Sequence, residues 1–438
     1  MAKQHNYLGR DVYVVDGART PFLKAKGKPG PFSASDLAVA AGRDLLARQP
    51  FTPDKLDEVI LGCMMPSPDE ANIARVVALR LGCGKHVPGF TVQRNCASGM
   101  QAIDNAVQNI ATGRHELVLA GGTEAMSRAP LLFSESMVSW LSQWYAAKSP
   151  LARVKLITKF RLGYLAPVVA LLRGLSDPLY GLSMGQTAEK VAYEFGITRE
   201  EMDAYALRSH QRIAMATDES YMTEISSLYG TDGQVYTHDD GARRDTTLEK
   251  LASLKPFFDK KFGLVTAGNS SQVTDGAAML ILASAEAVKR YDLPVLGRIV
   301  DIEWAALEPT MMGLGPVNAS VPLLQRNNLN LDEIDFWEIN EAFAAQVLGC
   351  IKALADNKYC QENFGLAKAV GLIDQERLNI DGSAIATGHP VGASGARIVL
   401  HLLQVLKRKR AQRGIASICI GGGQGGSMLV ENVNEVQA

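Results

Sequence analysis

The stretch RNCASGM, residues 94–100, lies between two apolar segments and puts one cysteine among small side chains where a helix should begin. A cysteine at a helix start faces backbone N–H groups without intrahelical partners and the positive end of the helix dipole. Both favour thiolate over thiol, and the thiolate is the nucleophile. Ala97, Ser98 and Gly99 leave room for another molecule to approach Cys96. The competing reading is an inert thiol, because free cysteine also packs as a small buried hydrophobe.

Three further motifs bear on that choice. IATGHPVGASGAR (385–397) places His389 in a Gly-His-Pro turn leading into a helix. A lone histidine is more often structural, but here it could take a proton from Cys96 or polarise a carbonyl oxygen. SICIGGGQGG (417–426) ends an apolar strand in Cys419 and a glycine cluster. It formally contains GxGxxG, yet SMLVEN after it reads as a strand, whereas a dinucleotide site needs a helix there. The glycines suit bare N–H groups aimed at a developing oxyanion, with the Cys419 thiol as a proton donor and acceptor beside them. EINEAFAA (338–345) sets Asn340 and Glu341 at a strand-to-helix junction. Helix capping is the plain explanation for Asn340; holding a water or a carbonyl oxygen is the functional one.

The elements that must position these residues occur twice. LDEVILG (56–62) followed by NIARVVAL corresponds to LDEIDFWEIN (331–340) followed by EAFAAQVL. CASGMQAIDNAVQNIATGRHELVLAGG (96–122) corresponds to GASGARIVLHLLQVLKRKRAQRGIASICIGG (392–422), each reading as ASG, helix, basic turn, apolar strand and Gly-Gly. The order is the same in both halves. Strand–helix–strand alternation predicts parallel strands covered by helices, hence two similar α/β halves whose equivalent helix starts can face one site. A single irregular α/β domain with coincidental ASG repeats is the alternative. Between the halves, residues 128–256 read differently, with helices predicted over 134–147 and 198–217, the second opened by a Thr198–Glu201 capping box, and then a polar stretch. Such an insertion suits substrate contacts.

Bulk properties remove several function classes. The 438 residues carry a formal net charge of −1, which gives no nucleic-acid signature. The first fifteen residues lack a secretory apolar core. The longest uncharged apolar run, LGYLAPVVALL, falls short of the roughly 20 residues a membrane span needs. Six cysteines are scattered without a CxxC pair and HExxH is absent, so neither a disulfide scaffold nor a catalytic metal is expected. A reducing cytoplasm fits.

NCASGMQAI, NEAFA, GHPVGASGAR and CIGGGQG, in that order, together resemble the thiolase family. VVDGARTPF (14–22), MGQTAEKVA (184–192) and VTAGNSSQVTDGAA (265–278) extend the likeness over nearly the whole chain. The resemblance implies an α/β, five-layer αβαβα fold of two duplicated halves. The N-terminal half would take 1–127 and 257–292, an inserted loop domain 128–256, and the C-terminal half 293–438. It also implies ping-pong acyl transfer with coenzyme A as substrate and no permanently bound cofactor. A 3-ketoacyl-CoA would be cleaved to acetyl-CoA and a shortened acyl-CoA in fatty-acid β-oxidation, or, in reverse, two acetyl-CoA condensed to acetoacetyl-CoA.

In these terms Cys96 is the nucleophile and His389 activates it. His389, with a water held by Asn340, stabilises the enolate oxygen, and Cys419 shuttles a proton. The N–H groups of Cys96 and Gly421 form a second oxyanion hole. Ser271, Arg243 and Met184 carry over as CoA contacts. Ser183 stands where short-chain biosynthetic members often have His, which tilts the expectation toward longer chains.

From Ser136 to Ser176 there are six Lys or Arg (148, 153, 155, 159, 161, 173), no Asp or Glu, and interleaved Trp140, Trp144, Tyr145, Phe160 and Tyr164. This loop looks like that of the β subunit of the fatty-acid-oxidation multienzyme complex. It would serve long acyl chains, a partner α subunit or the inner face of a membrane; a folded cap is the plain alternative. Family members are homodimers or homotetramers. Two rivals are a malonyl-condensing ketoacyl synthase, which typically lacks a second active-site cysteine, and a non-catalytic acyl-CoA or lipid carrier, which often loses the nucleophile or the histidine.

Overall fold

The computed structural model describes residues 9–231 and 233–433; the first eight residues, read above for a signal sequence, and the outer limits 1 and 438 of the domain division lie outside them. Among the described residues ten strands form one sheet: β1 (Val12–Arg19), β2 (Leu23–Lys24), β3 (Glu58–Gly62), β4 (Gly89–Val92), β5 (Leu117–Ala125), β6 (Thr274–Ser284), β7 (Gly297–Ala306), β8 (Phe336–Ile339), β9 (Arg413–Ile420) and β10 (Gln424–Glu431). The helices used below are α1 (Ala34–Ala47), α2 (Ile73–Arg80), α3 (Ser98–Ala111), α4 (Glu135–Ala146), α5 (Pro150–Lys159), α6 (Met184–Glu194), α7 (Arg199–Asp218), α8 (Gly315–Arg326), α9 (Ala344–Leu354) and α10 (Val391–Lys409).

The strand order is β8-β9-β10-β7-β1-β6-β5-β3-β4, with β2 on β6. One half reads β3-β5-β6-β1 and the other β8-β9-β10-β7, the same path twice. The two meet where Val12–Val14 of β1 pair antiparallel with Gly297–Ile299 of β7. Only the pairs that follow a helical crossover, β3–β5, β3–β4 and β8–β9, are parallel. The remaining pairs are antiparallel, so the expectation of parallel strands holds for part of each half. One antiparallel pair, β9–β10, is a hairpin: Ile420 pairs with Gln424 across a turn in which Gly422 and Gly423 take φ of 90° and 75°, a conformation open to glycine.

Side chains alternate between layers, as strand geometry requires. On β5, Val118 and Ala120 face the centre, Leu117 and Leu119 the outside. On β9, Ala416, Ile418 and Ile420 face the centre, Ile415 and Cys419 the outside. α3 and α10 fill the centre, while α1 and α2 cover one outer face and α8 and α9 the other. α10 is buried without a break from Val391 to Leu403, as expected for a helix sandwiched between sheet layers. α3 and α10 approach backbone to backbone at their ASG motifs. A Cβ on Gly99 would lie 2.8 Å from the Gly392 carbonyl oxygen, and one on Gly395 would lie 2.7 Å from the Met100 nitrogen.

Residues 128–256 contribute no strand to the ten-stranded sheet among those described; they form two small two-stranded sheets of their own. α6 and α7 begin with the capping boxes Ser183–Gln186 and Thr198–Glu201. Both pack into the outer core of the second half, where Val191 and Met202 share a cluster with Trp337 and Val347. α4 and α5 form a hairpin around stacked Trp140 and Trp144, with Phe160 edge-on to Trp140. Buried charges tie the segment down: Arg19 pairs with Glu224 and Asp239, and His401 of α10 lies between Glu224 and Asp381. Among the described residues no helix is long and apolar enough to cross a membrane.

Candidate active site

Cys96 sits two residues before the first residue of α3. Its turn is set by Asn95, whose positive φ of 44° reverses the chain. Ser98 locks the turn: its hydroxyl accepts from the Arg94 N–H at 2.9 Å and donates to the Asn95 carbonyl at 2.7 Å. Asn95 Nδ2 donates to the Gly421 carbonyl at 2.8 Å, joining this turn to the β9–β10 turn. Burial pushes the Cys96 thiol up to about 11, although the Gly421 and Cys96 N–H groups pull the other way. The helix start therefore does not deliver a resting thiolate, as its dipole alone led us to expect: desolvation of the sulfur outweighs two partial charges.

His389 stands at the equivalent place before α10. Ser394, the serine of the second ASG, donates to the Pro390 carbonyl at 3.1 Å. With its one proton committed, the Ser394 hydroxyl accepts from His389 Nδ1–H at 2.6 Å. In this tautomer Nε2 carries the lone pair; in the other, Nδ1 accepts from the Ser394 hydroxyl and the Asn340 amide. Burial, with Arg397 adding to it, lowers the His389 pKa to about 3, so the ring is neutral near pH 7 and able to accept a proton. Asn340 is fully buried at the end of β8, and its amide nitrogen lies 3.5 Å from His389 Nδ1. It does not cap α9, whose N-cap position is Phe343, so the capping explanation fails. His389 Nε2 and Asn340 Oδ1 are both buried without a hydrogen-bond partner among the described residues. Buried polar atoms are rarely left so; both are acceptors, so a donor such as a thiol or a bridging water would satisfy them.

Cys419 ends β9 and is 1% exposed. Burial, then the neighbouring Cys96 and Cys350 thiols, hold its pKa well above the usual thiol range. Gly421 follows in the turn; a Cβ there would lie 3.1 Å from Met184 Sδ. Cys96, His389, Asn340, Cys419 and Gly421 are thus drawn from both halves to the paired helix starts. The arrangement supplies a neutral base, a protonated thiol beside a backbone N–H, and a second thiol.

A cavity of about 440 Å³ is lined by Lys24, His210, Arg243, Lys250, Phe258 and Ser271, among others. It therefore joins two of the predicted CoA contacts, Ser271 and Arg243. Met184, the third, is not part of this lining and lies at the Gly421 turn. The cavity reaches the site through Gln272, whose carbonyl accepts the His389 N–H at 3.0 Å. Its cations and aromatic rings suit a phosphorylated, partly apolar ligand. A larger cavity of about 760 Å³, between α1 and residues 225–231, contains none of the predicted residues.

Sequence reasoning missed two supporting groups, Ser394 and Glu124, and gave no role to a third, Glu341. Ser394 was visible only as part of a repeat. Glu341 accepts from Tyr205, Ser209 and Asn379 side chains and the Ile385 N–H, fastening α7 to the segment before His389. Glu124, at the end of β5, is fully buried. An acidic residue inside LVLAGGTEA (117–125) is the only signal that could have singled it out.

Residues 12–286 match the family model described as thiolase, N-terminal domain, and residues 293–432 the one described as thiolase, C-terminal domain. A β-ketoadipyl-CoA thiolase of Pseudomonas aeruginosa is 39% identical over 97% of this chain and 100% of its own length. A 3-ketoacyl-CoA thiolase of Yersinia enterocolitica is 34% identical over 97% of each chain. The structure of human mitochondrial 3-ketoacyl-CoA thiolase in complex with CoA matches with a TM-score of 0.84 and 36% identity, over 98% of this chain and 100% of that one.

Proposed function

Because the chain belongs to the thiolase family and is thereby an acyltransferase, we propose that it cleaves 3-ketoacyl-CoA thioesters with coenzyme A through an acyl-enzyme on Cys96. The observation that carries this reading is the neutral His389, with its Nε2 lone pair unpartnered, at the helix start paired with that of Cys96. His389 Nε2 takes the thiol proton as the sulfur attacks the keto carbon. The Cys96 and Gly421 N–H groups receive the oxyanion. The C2–C3 bond breaks, and the acetyl-CoA enolate, held by His389 and a water on Asn340, takes its proton from Cys419. The Cys419 thiolate then deprotonates an incoming CoA thiol. That thiol attacks the acyl-enzyme, and Cys96 recovers its proton from His389. CoA is a substrate here; Arg243, Lys24 and Lys250 would meet its phosphates and Ser271 its pantetheine.

The domain division given above, a homodimer or homotetramer, and a cytoplasmic setting belong to the same reading. Met184 Sδ lies 3.1 Å from a Cβ placed on Gly421, and Met64 Cε lies 3.0 Å from one placed on Gly174 of the insertion. Flexible apolar side chains of this kind favour aliphatic acyl groups of varied length over an acyl group ending in a carboxylate, which supports a role in fatty-acid β-oxidation. CoA-dependent cleavage of acetoacetyl-CoA, 3-ketohexadecanoyl-CoA and 3-ketoadipyl-CoA, with Cys96→Ala as control, tests it. Preference for the long chain supports the reading. Preference for acetoacetyl-CoA makes the protein an acetyl-CoA acetyltransferase, and preference for 3-ketoadipyl-CoA overturns the apolar assignment.

A second reading concerns residues 136–176. α5 exposes Leu151, Val154 and Ile157 at helical spacing (68%, 55% and 57%) among Arg153, Lys155 and Lys159. An apolar stripe flanked by cations fits an anionic bilayer. Flotation with phosphatidylserine vesicles should be lost on deleting the hairpin; equal flotation removes the membrane role and leaves a partner α subunit or a simple cap.

A further inference from the structure

Glu124 is a buried carboxylate to which the mechanism above gives no role. Both its oxygens are engaged: Oε2 accepts the N–H groups of Met64 (2.8 Å) and Gly392 (3.0 Å), and Oε1 accepts the Met65 N–H (3.0 Å) and the Cys63 thiol (3.5 Å). None of these partners is cationic. The bonds reach two separate elements, the loop leaving β3 and the first turn of α10. The surroundings are built tightly around them. A Cβ on Gly392 would lie 2.8 Å from Glu124 Oε2 and 2.4 Å from the Thr123 carbonyl oxygen. One on Gly122 would collide with the Gly392 carbonyl oxygen, and one on Gly62 with the carbonyl of Ser98. Gly392 lies three residues after His389, and its carbonyl abuts Gly99, three residues after Cys96. Glu124 thus stands at the crossing of the two helix starts, bonded to the first turn of α10 and to the loop leaving β3.

We propose that Glu124 is a positioning residue for acyl transfer, its carboxylate clamping the Met64–Met65 loop to the first turn of α10 and so setting the acyl wall against His389. This rests on the site reading given above. The clamp needs an anion: three N–H groups and a thiol converge on it, and an amide in its place turns two donors toward Met65 N–H and Cys63. The titratable groups around it are Cys63, Cys96, with which it interacts electrostatically, and Glu70 beyond Cys63. Burial raises Glu124 to about 6, so the clamp weakens as acid protonates it.

The test compares wild type, Glu124→Gln and Cys96→Ala. For Glu124→Gln we expect kcat to fall roughly tenfold to a hundredfold, the scale of an ångström-sized misplacement, with KM for CoA within about twofold because the CoA-side cavity does not include Glu124. Iodoacetamide should label Cys96 faster near neutral pH, roughly threefold to tenfold, because a like charge has gone; loss of packing alone would not move the labelling profile to lower pH. Wild-type kcat should fall through an inflection near pH 6, a limb absent from Glu124→Gln. If that variant does not fold, the wild-type limb decides: its presence supports the clamp and a flat profile between about pH 5 and 7.5 overturns it. Wild-type kcat and labelling in Glu124→Gln also overturn it. An active Cys96→Ala would instead bring down the site reading, whatever Glu124→Gln does.

Discussion

Cys96 keeps its proton at rest, and that governs when the proton moves. Burial moves the thiol from 9.0 to about 11, a change of two pH units, or about 2.7 kcal/mol against the thiolate. Near pH 7 about one molecule in ten thousand would then carry the thiolate. His389, lowered to about 3, cannot already hold the proton. Nucleophile and base are therefore both neutral before substrate arrives, and the proton moves as the bond forms. Alkylation of Cys96 by iodoacetamide, followed by mass spectrometry of the 94–100 peptide, reads the thiolate directly. Its rate should climb about tenfold per pH unit from pH 7.5 to 9 without levelling. His389→Asn should share the alkaline part of that profile while acyl transfer falls by about 10²–10⁴. A rate that is already flat at neutral pH in wild type, and not in His389→Asn, would show a preformed thiolate–imidazolium pair and refute the argument.

Three other outcomes are expected. Ser394→Ala should free the imidazole to change tautomer and lower kcat roughly tenfold or more at unchanged KM for CoA, with Ser394→Thr restoring part of it; steady-state kinetics of the two variants checks this. His401, held between Glu224 and Asp381, has its pKa raised to about 10 by those carboxylates against the opposing effect of burial. A group that binds its proton more tightly when folded stabilises fully below its unfolded value near 6.5 and loses that contribution as pH rises through 10. Tm should therefore decline across that window, and His401→Ala should flatten the decline and cost about 3–5 kcal/mol in urea unfolding. Gly395→Ala, which helix propensity alone would favour, should destabilise, because its Cβ meets the Met100 backbone nitrogen at 2.7 Å; Gly395→Val should fail to accumulate as soluble protein.

How much of this was legible beforehand depends on whether the signal was local. Both ASG helices, the strands after them and the capping boxes at Ser183 and Thr198 lie in contiguous residues and could be read directly. The duplicated order of β3-β5 and β8-β9 followed from the repeats. The antiparallel pairing of β6 and β10 did not, because neither strand lies in a repeat unit that was recognised. Cys96, His389, Asn340, Cys419 and Gly421 were reached by motif; the structure sets Cys96 beside Cys419 and Gly421, and Asn340 beside His389. The ionisation of Cys96 was misread because a helix start is visible in sequence and desolvation is not. Ser394 and Glu124 act through partners five residues and more than two hundred residues away, and side-chain hydrogen bonds at such separations leave no local pattern.

The glycine contact between α3 and α10 has a mechanical consequence. Where two helices touch through peptide groups, sliding one past the other means moving backbone planes against a packed core. Between sulfur and imidazole only the few torsions of Cys96 and His389 remain soft, and Ser394 removes freedom from the second. Met184 beside the Gly421 turn and Met64 against Gly174 of the insertion are, by contrast, side chains with three rotatable bonds. Stiffness is thus concentrated where atoms exchange bonds and compliance where chains of different length must fit. Altering Met64, Met65 or Met184 could retune which chains are accepted while leaving the aim of the reacting atoms untouched.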